Sequence, residues 1–184
     1  MTPSYPVGLI WLRRDLRLAD NAALYHALQQ CEKLYCVFVF DDSILAALPR
    51  ADRRVEFICQ SLAELDAALR ETSGRPQTGL ITRRGLPQDI IPALARQLGA
   101  GAVFCNDDDE PTALARDAQV ARSLKSQGQL LLRFKDHRIF ARDEVLTQSL
   151  SPFSVFTPYK NAWLRKITPF YLSAYPSERD LASK

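Results

Sequence analysis

The sequence predicts an α/β protein: an open, doubly wound, five-stranded parallel sheet of Rossmann-like architecture with an aromatic C-terminal extension. Three observations predict it. Five short apolar runs, at residues 7–12, 34–40, 79–82, 102–105 and 130–134, are nearly continuous rather than alternating, as strands covered on both faces must be. Helical patterns separate successive runs by short loops, giving the order β-α-β-α-β-α-β-α-β and hence parallel pairing. The 184 residues are 47% hydrophobic and 24% charged, a composition that buries a core without disulfides or a structural metal.

The helices carry their own signals. Asp20 is placed to cap a helix running from Asn21 to about Gln30. Asp52 caps the next, where Val55, Ile58, Leu62, Leu65 and Leu69 recur at spacings of three and four and form a core-facing stripe. Pro87 opens a third helix with Ile90, Ile91, Leu94 and Leu98 on one side, and Gly99 ends it. Pro111 begins a fourth, through Leu114, Ala118, Ala121 and Leu124, with Gly128 as its stop. Beyond Phe134 the pattern breaks. Residues 151–184 hold seven of the seventeen aromatics and four prolines, and a sheet already covered by its own helices leaves them to seek another surface. Two destinations follow: the segment folds back on its own domain, or it docks on a partner domain. We expect a sheet domain over 1–135, then an extension over 136–184 whose polar end, from Ser177, resembles an interdomain linker.

Several chemistries are excluded. Cys31, Cys36, Cys59 and Cys105 form no C-x-x-C pair and read as reduced and mostly buried. His26 and His137 lack metal-ligand spacing, and no G-x-S-x-G or Ser/His/Asp grouping is present. A formal net charge of +3 does not argue for nucleic-acid binding. Without a signal-peptide pattern or a long apolar run, the expected compartment is the cytosol.

Ligands of such sheets bind beyond the carboxyl ends of the strands. There the first loop reads Arg13-Arg14-Asp15-Leu16-Arg17, the second Asp41-Asp42 with Arg53 and Arg54 downstream, and the fourth Asn106-Asp107-Asp108-Asp109-Glu110. Each charge cluster taken singly is also what a solvated loop provides, through surface ion pairs or carboxylates near a helix amino terminus. None of the loops is glycine-rich, so the amide cradle that holds pyrophosphate is missing. What remains is a crevice whose arginines and carboxylates suit a heteroaromatic ligand.

Three stretches resemble one family. Trp11 to Asn21 closely resembles the W-x-R-x-D-L-R-x-x-D-N opening of photolyases and cryptochromes. Asn106 to Pro111, with Ala115-Arg116-Asp117 after it, resembles that family's N-x-D-x-E-P…RD stretch, and Ser154 to Leu164 its V-F-T-P segment. The resemblance implies the amino-terminal α/β domain of a deoxyribodipyrimidine photo-lyase. That domain holds a light-harvesting antenna chromophore, and a helical domain carrying FAD, absent from this chain, follows it. The full-length enzyme would repair cyclobutane pyrimidine dimers with blue or near-ultraviolet light; the domain by itself would hold no catalytic site. By similarity Arg14, Asp15, Phe38, Asp41, Arg54, Asp108 and Glu110 line the antenna pocket. Thr112 and Ala113 stand where folate-binding members have an N-E pair, so a deazaflavin or flavin is expected rather than methenyltetrahydrofolate. The 151–184 segment is expected to contact the helical domain, and damaged DNA only the full-length protein. The alternatives are a cryptochrome-type photoreceptor domain and a stand-alone nucleotide-binding module.

Overall fold

Five parallel strands make one sheet in the order β3-β2-β1-β4-β5 in a computed structural model that describes residues 3–75, 77–141 and 143–182. The strands are β1 (Tyr5–Leu12), β2 (Cys31–Asp41), β3 (Leu80–Gly85), β4 (Ala102–Asn106) and β5 (Leu130–Phe134). Helices α1 (Ala22–Gln30), α2 (Asp42–Leu45), α3 (Arg53–Ser73), α4 (Pro87–Leu98) and α5 (Pro111–Ser126) connect them. The predicted doubly wound sheet is therefore present, and four of the expected strands lie inside the observed ones, while the third, expected over 79–82, begins one residue later and runs on to Gly85.

Successive β1 residues serve opposite layers. Ile10 and Leu12 pack with α1 and with Leu65 and Leu69 of α3, whereas Leu9 and Trp11 pack with Ile91 of α4 and Val120 and Leu124 of α5. Both faces of the strand are thus removed from water, which stabilises the fold by roughly 1.5–3 kcal/mol per large apolar side chain. Gly8 marks the closest approach on this strand, because a Cβ there would meet the Cys31 Sγ at 2.3 Å. At the sheet edge the pattern relaxes: Thr82, Arg83 and Arg84 of β3 are exposed, and arginines on an unpaired edge discourage further strand pairing.

Local signals set the helix ends. Asp52 caps α3 by accepting from the Arg54 N–H at 2.8 Å, and Gly99 closes α4 in the left-handed region. The cap of α1 is Asn21 rather than the expected Asp20: its side chain accepts from the Leu24 N–H at 3.0 Å. Asp20 has φ 49°, a turn conformation, and instead accepts from the Tyr175 N–H at 2.8 Å.

That contact belongs to a larger correction. The chain divides into two compact units, residues 1–134 with 175–184, and 135–174. Helix α7 (Ser177–Ala182), expected as the start of a linker, packs on the sheet unit. Ser177 is fully buried, its hydroxyl donating to the Leu18 carbonyl and accepting from the Asn21 N–H, and Leu181 joins the core on the α1 side. Polarity concealed this because one apolar side chain and one buried hydroxyl, bonded to the α1 entry loop, seat this six-residue helix. Within the expected extension, Arg142, Ser183 and Lys184 lie outside the described residues.

The 135–174 unit has a small centre of its own. Phe140 is buried, with Trp163 of α6 (Phe156–Lys166) at 5.6 Å and Tyr171 at 4.8 Å, both edge-on. Glu144 binds the Lys135 ammonium at 2.5 Å and accepts from the Ala141 N–H. Burial opposes ionisation of Glu144, but these hydrogen bonds hold its carboxyl below the usual range. Other apolar groups of the unit stay outside: Phe156 is 73% exposed, Phe170 79%, and Val155, Leu164 and Leu172 each more than half.

Candidate functional site

Strands β1 and β4 are neighbours whose connections leave to opposite faces, so their carboxyl ends form the switch point of the sheet. A buried polar network closes the floor there. The Asn106 side-chain amide, at the end of β4, donates to Asp15 Oδ2 at 2.6 Å and Asn21 Oδ1 at 2.9 Å. Its Oδ1 accepts from the Ala23 N–H at 2.8 Å, and Asp15 Oδ1 accepts from the Arg13 N–H at 2.8 Å. The first loop and α1 are thereby tied to β4, every partner being satisfied.

Beside this network lies a second, charged one. Arg13 Nη1 donates to both carboxylate oxygens of Asp117 at 2.8 Å, and Arg13 Nη2 donates to the Asn106 carbonyl. Arg116 Nη2 shares Asp117 Oδ1 at 3.1 Å, and its Nη1 lies 3.8 Å from Asp41 Oδ2. The Asp117 side chain is 0% exposed. The Cys105 thiol below, also buried, is pushed up to about 12 by desolvation and is no nucleophile at neutral pH.

A third tier faces solvent. Arg14 pairs with Glu110 at 2.8 Å and with Asp108 at 3.4 Å, while Asp108 Oδ1 accepts from the Glu110 N–H at 3.1 Å. The hydrogen bond to Glu110 raises the Arg14 pKa. Exposed pairs of this kind contribute only about 0–1 kcal/mol, so a ligand can exchange with either partner at little cost.

The seven residues expected to line a pocket therefore separate. Arg14, Asp108 and Glu110 come together as an accessible donor–acceptor set. Asp15 lies beneath them, committed to the floor. Asp41 caps α2 through the Ser43 N–H at 3.0 Å and faces Arg116, while Phe38 is buried with its ring 5.0 Å from that of Phe40. Arg54 turns away to Asp52 at 2.6–2.9 Å, lowering that carboxyl to about 2. A separate groove of about 370 Å³ runs between α3 and β2–β3, lined by Phe40, Cys59, Leu62, Ala63, Leu80 and Thr82 with the Asp66–Arg70 pair at hand. None of the seven lines it. Sequence reasoning missed Arg13, Arg116 and Asp117 as a unit. One signal was available: Asp117 interrupts the apolar stripe Ala113, Val120 and Leu124, and a carboxylate there must be paired.

The arrangement offers hydrogen-bond donors and acceptors at the sheet edge. No group of three or more potential metal ligands occurs among the described residues.

The DNA photolyase family model matches residues 8–178. The chain belongs to the DNA photolyase family. It is 37% identical over 161 residues to a deoxyribodipyrimidine photo-lyase of Synechococcus, an alignment covering 88% of this chain and 32% of that protein. A class III photolyase of Agrobacterium tumefaciens superposes with a TM-score of 0.78 at 28% identity, over 97% of this chain and 35% of the other. An archaeal photolyase of Sulfolobus tokodaii gives 0.72 at 26% identity, over 88% and 35%. The chain thus spans about a third of the length of these photolyases, and its fold is that of their amino-terminal α/β domain.

Proposed function

We propose that this photolyase-family domain holds a light-harvesting chromophore, a flavin or deazaflavin, for a DNA photolyase that splits cyclobutane pyrimidine dimers with reduced FAD bound in a helical domain. The observation that carries the reading is the accessible Arg14–Asp108–Glu110 set above the sealed switch point. Arg14 donates and the two carboxylates accept, which suits a planar ring bearing both carbonyl and N–H groups. When bound, the chromophore would supply light absorption and pass excitation to the FAD. The residues of this chain orient it, and the buried Asn106 and Asp117 networks keep the loops from moving. Energy transfer requires fixed orientation rather than proton transfer.

Two further observations support parts of the proposal. The Sulfolobus photolyase is described with two FAD molecules and a novel light-harvesting cofactor, so a flavin in this role has precedent among the relatives. The exposed Val155, Phe156, Leu164, Phe170 and Leu172 suit the face that would meet the FAD-binding domain. The same reading places the protein in the cytosol, with its four cysteines as free thiols, and no helix among the described residues is long and apolar enough to cross a membrane.

Titration with FMN, FAD, a deazaflavin, methenyltetrahydrofolate and ATP, followed by absorbance and fluorescence, tests the proposal. Saturable flavin or deazaflavin binding that Arg14→Ala weakens roughly tenfold or more is expected. Preferential binding of the folate would overturn the flavin assignment. Tight ATP binding with no chromophore bound would overturn the antenna role.

A further inference from the structure

The loop that carries Arg14 is held by two distant parts of the chain. On one side, Asn106 at the end of β4 binds Asp15 and Asn21 through the buried amide bonds of the floor. On the other, the C-terminal segment grips the end of the loop. Asp20 Oδ1 accepts from the Tyr175 N–H at 2.8 Å, and the Ser177 hydroxyl donates to the Leu18 carbonyl while accepting from the Asn21 N–H at 3.2 Å. Asn21 joins the two anchorages: its N–H faces Ser177, and its Oδ1 accepts from the Asn106 amide and the Leu24 N–H. Asn21 and Ser177 are both fully buried, so parting them leaves the Asn21 N–H and the Leu18 carbonyl without their partner.

Asp20 gives a second sign that the loop depends on this grip. Its φ of 49° lies in the left-handed region, which a residue other than glycine keeps only where its neighbours fix it. Its carboxylate is fixed by Tyr175 and its carbonyl by Arg17 Nη2 at 2.7 Å. The grip itself is shallow. Helix α7 has six residues and enters the core through Leu181, and its outer side is tied to α1 by the exposed bond from Gln29 to Asp180 at 2.7 Å. Just before it, the Tyr175 ring rests 5.3 Å from that of Tyr25. An element with so few apolar contacts opens before the sheet does. We infer that α7 is a strap on the loop that carries Arg14: when the strap lifts from α1 the loop from Arg13 to Asn21 loosens, and whatever orders the loop tightens the strap. The coupling runs both ways because it is a free energy shared by the two ends. It governs how firmly Arg14 is held opposite Asp108 and Glu110, and it stands whatever ligand that set takes.

Amide hydrogen exchange of the 184-residue chain, read by NMR at a series of low urea concentrations, tests the coupling. The Tyr175 and Asp180 amides, bonded to Asp20 and to the Pro176 carbonyl, report the strap. Those of Arg13, Ala23 and Leu24, bonded to the side chains of Asp15, Asn106 and Asn21, report the loop. Gly101, bonded to the Val7 carbonyl at 2.9 Å near the amino ends of the strands, reports the rest of the sheet. Strap and loop amides should lose protection along one urea curve, at lower urea than Gly101. In Leu181→Ala, exchange should quicken at strap and loop by the same factor, about fivefold or more. A strap that opens while the loop stays protected overturns the inference, as does a loop that opens only together with Gly101. So does quickening in Leu181→Ala that is confined to Tyr175 and Asp180. If Leu181→Ala fails to fold, the urea series on the parent chain decides by itself.

Discussion

Asp117 is the most demanding buried charge in the sheet unit, and its removal has a calculable consequence. In Asp117→Asn the side chain keeps its volume and one acceptor oxygen but loses the charge that two guanidiniums face. The parent carboxylate is 0% exposed and receives Arg13 at 2.8 Å on each oxygen and Arg116 at 3.1 Å, while the Arg13 and Arg116 side chains are only 9% and 16% exposed. Breaking a buried pair costs about 3–5 kcal/mol because the abandoned charge remains desolvated. The retained acceptor and the second carboxylate near Arg116 place this case at the lower end, at about 3 kcal/mol. That is a large share of the 5–15 kcal/mol typical of a domain. For a chain of this length it corresponds to a fall in Tm of roughly 6–12 °C.

Urea unfolding followed by far-ultraviolet circular dichroism measures the loss directly, as a lower midpoint at unchanged slope. Arg14→Gln is the control: its ion pairs lie at the surface, and less than about 1 kcal/mol should be lost. A loss below about 1 kcal/mol in Asp117→Asn would refute the reasoning. It would mean that the guanidiniums find water or another acceptor without cost, and that the network does not fix the carboxyl ends of the strands.

Two further perturbations probe the C-terminal clasp. Burial lowers the His26 pKa below its ordinary 6.5, where the imidazole stacks on Phe134 at 4.4 Å and lies 5.7 Å from the Tyr175 ring. The unfolded chain therefore binds the proton first, so stability is fully present above pH 6.5 and is lost as the pH falls toward the lower folded value; urea midpoints at pH 7.5 and 5.5 should show this fall, and His26→Phe should reduce it. Leu181→Ala should cost about 2 kcal/mol in the same assay, as expected for a core leucine, whereas a neutral result would return residues 177–182 to the status of a linker.

What the sequence disclosed and what it withheld differ by the range of the interaction. Strand cores and helix ends depend on neighbours a few residues away, so the apolar runs, Asp52, Pro87, Gly99 and Pro111 were all legible. Even the misplaced cap was a local ambiguity between Asp20 and Asn21, decided by Asn106 and Tyr175 arriving from afar. Positions near the site behaved differently. Arg14, Asp108 and Glu110 do meet, because topology alone carries their loops to one edge. Arg54 was grouped with them too, although a partner two residues away, Asp52, takes its guanidinium. Arg13 and Asp117 are separated by 104 residues, and nothing local announces their bond except a carboxylate standing where a helix needs an apolar side chain. The same reasoning explains the tail. Its aromatics were read as one surface, yet Tyr175 joins His26 and Tyr25 in the sheet unit while Phe156 and Phe170 stay in water. Trp163 and Tyr171 instead pack edge-on against Phe140 inside the 135–174 unit, a pairing that no local pattern announces.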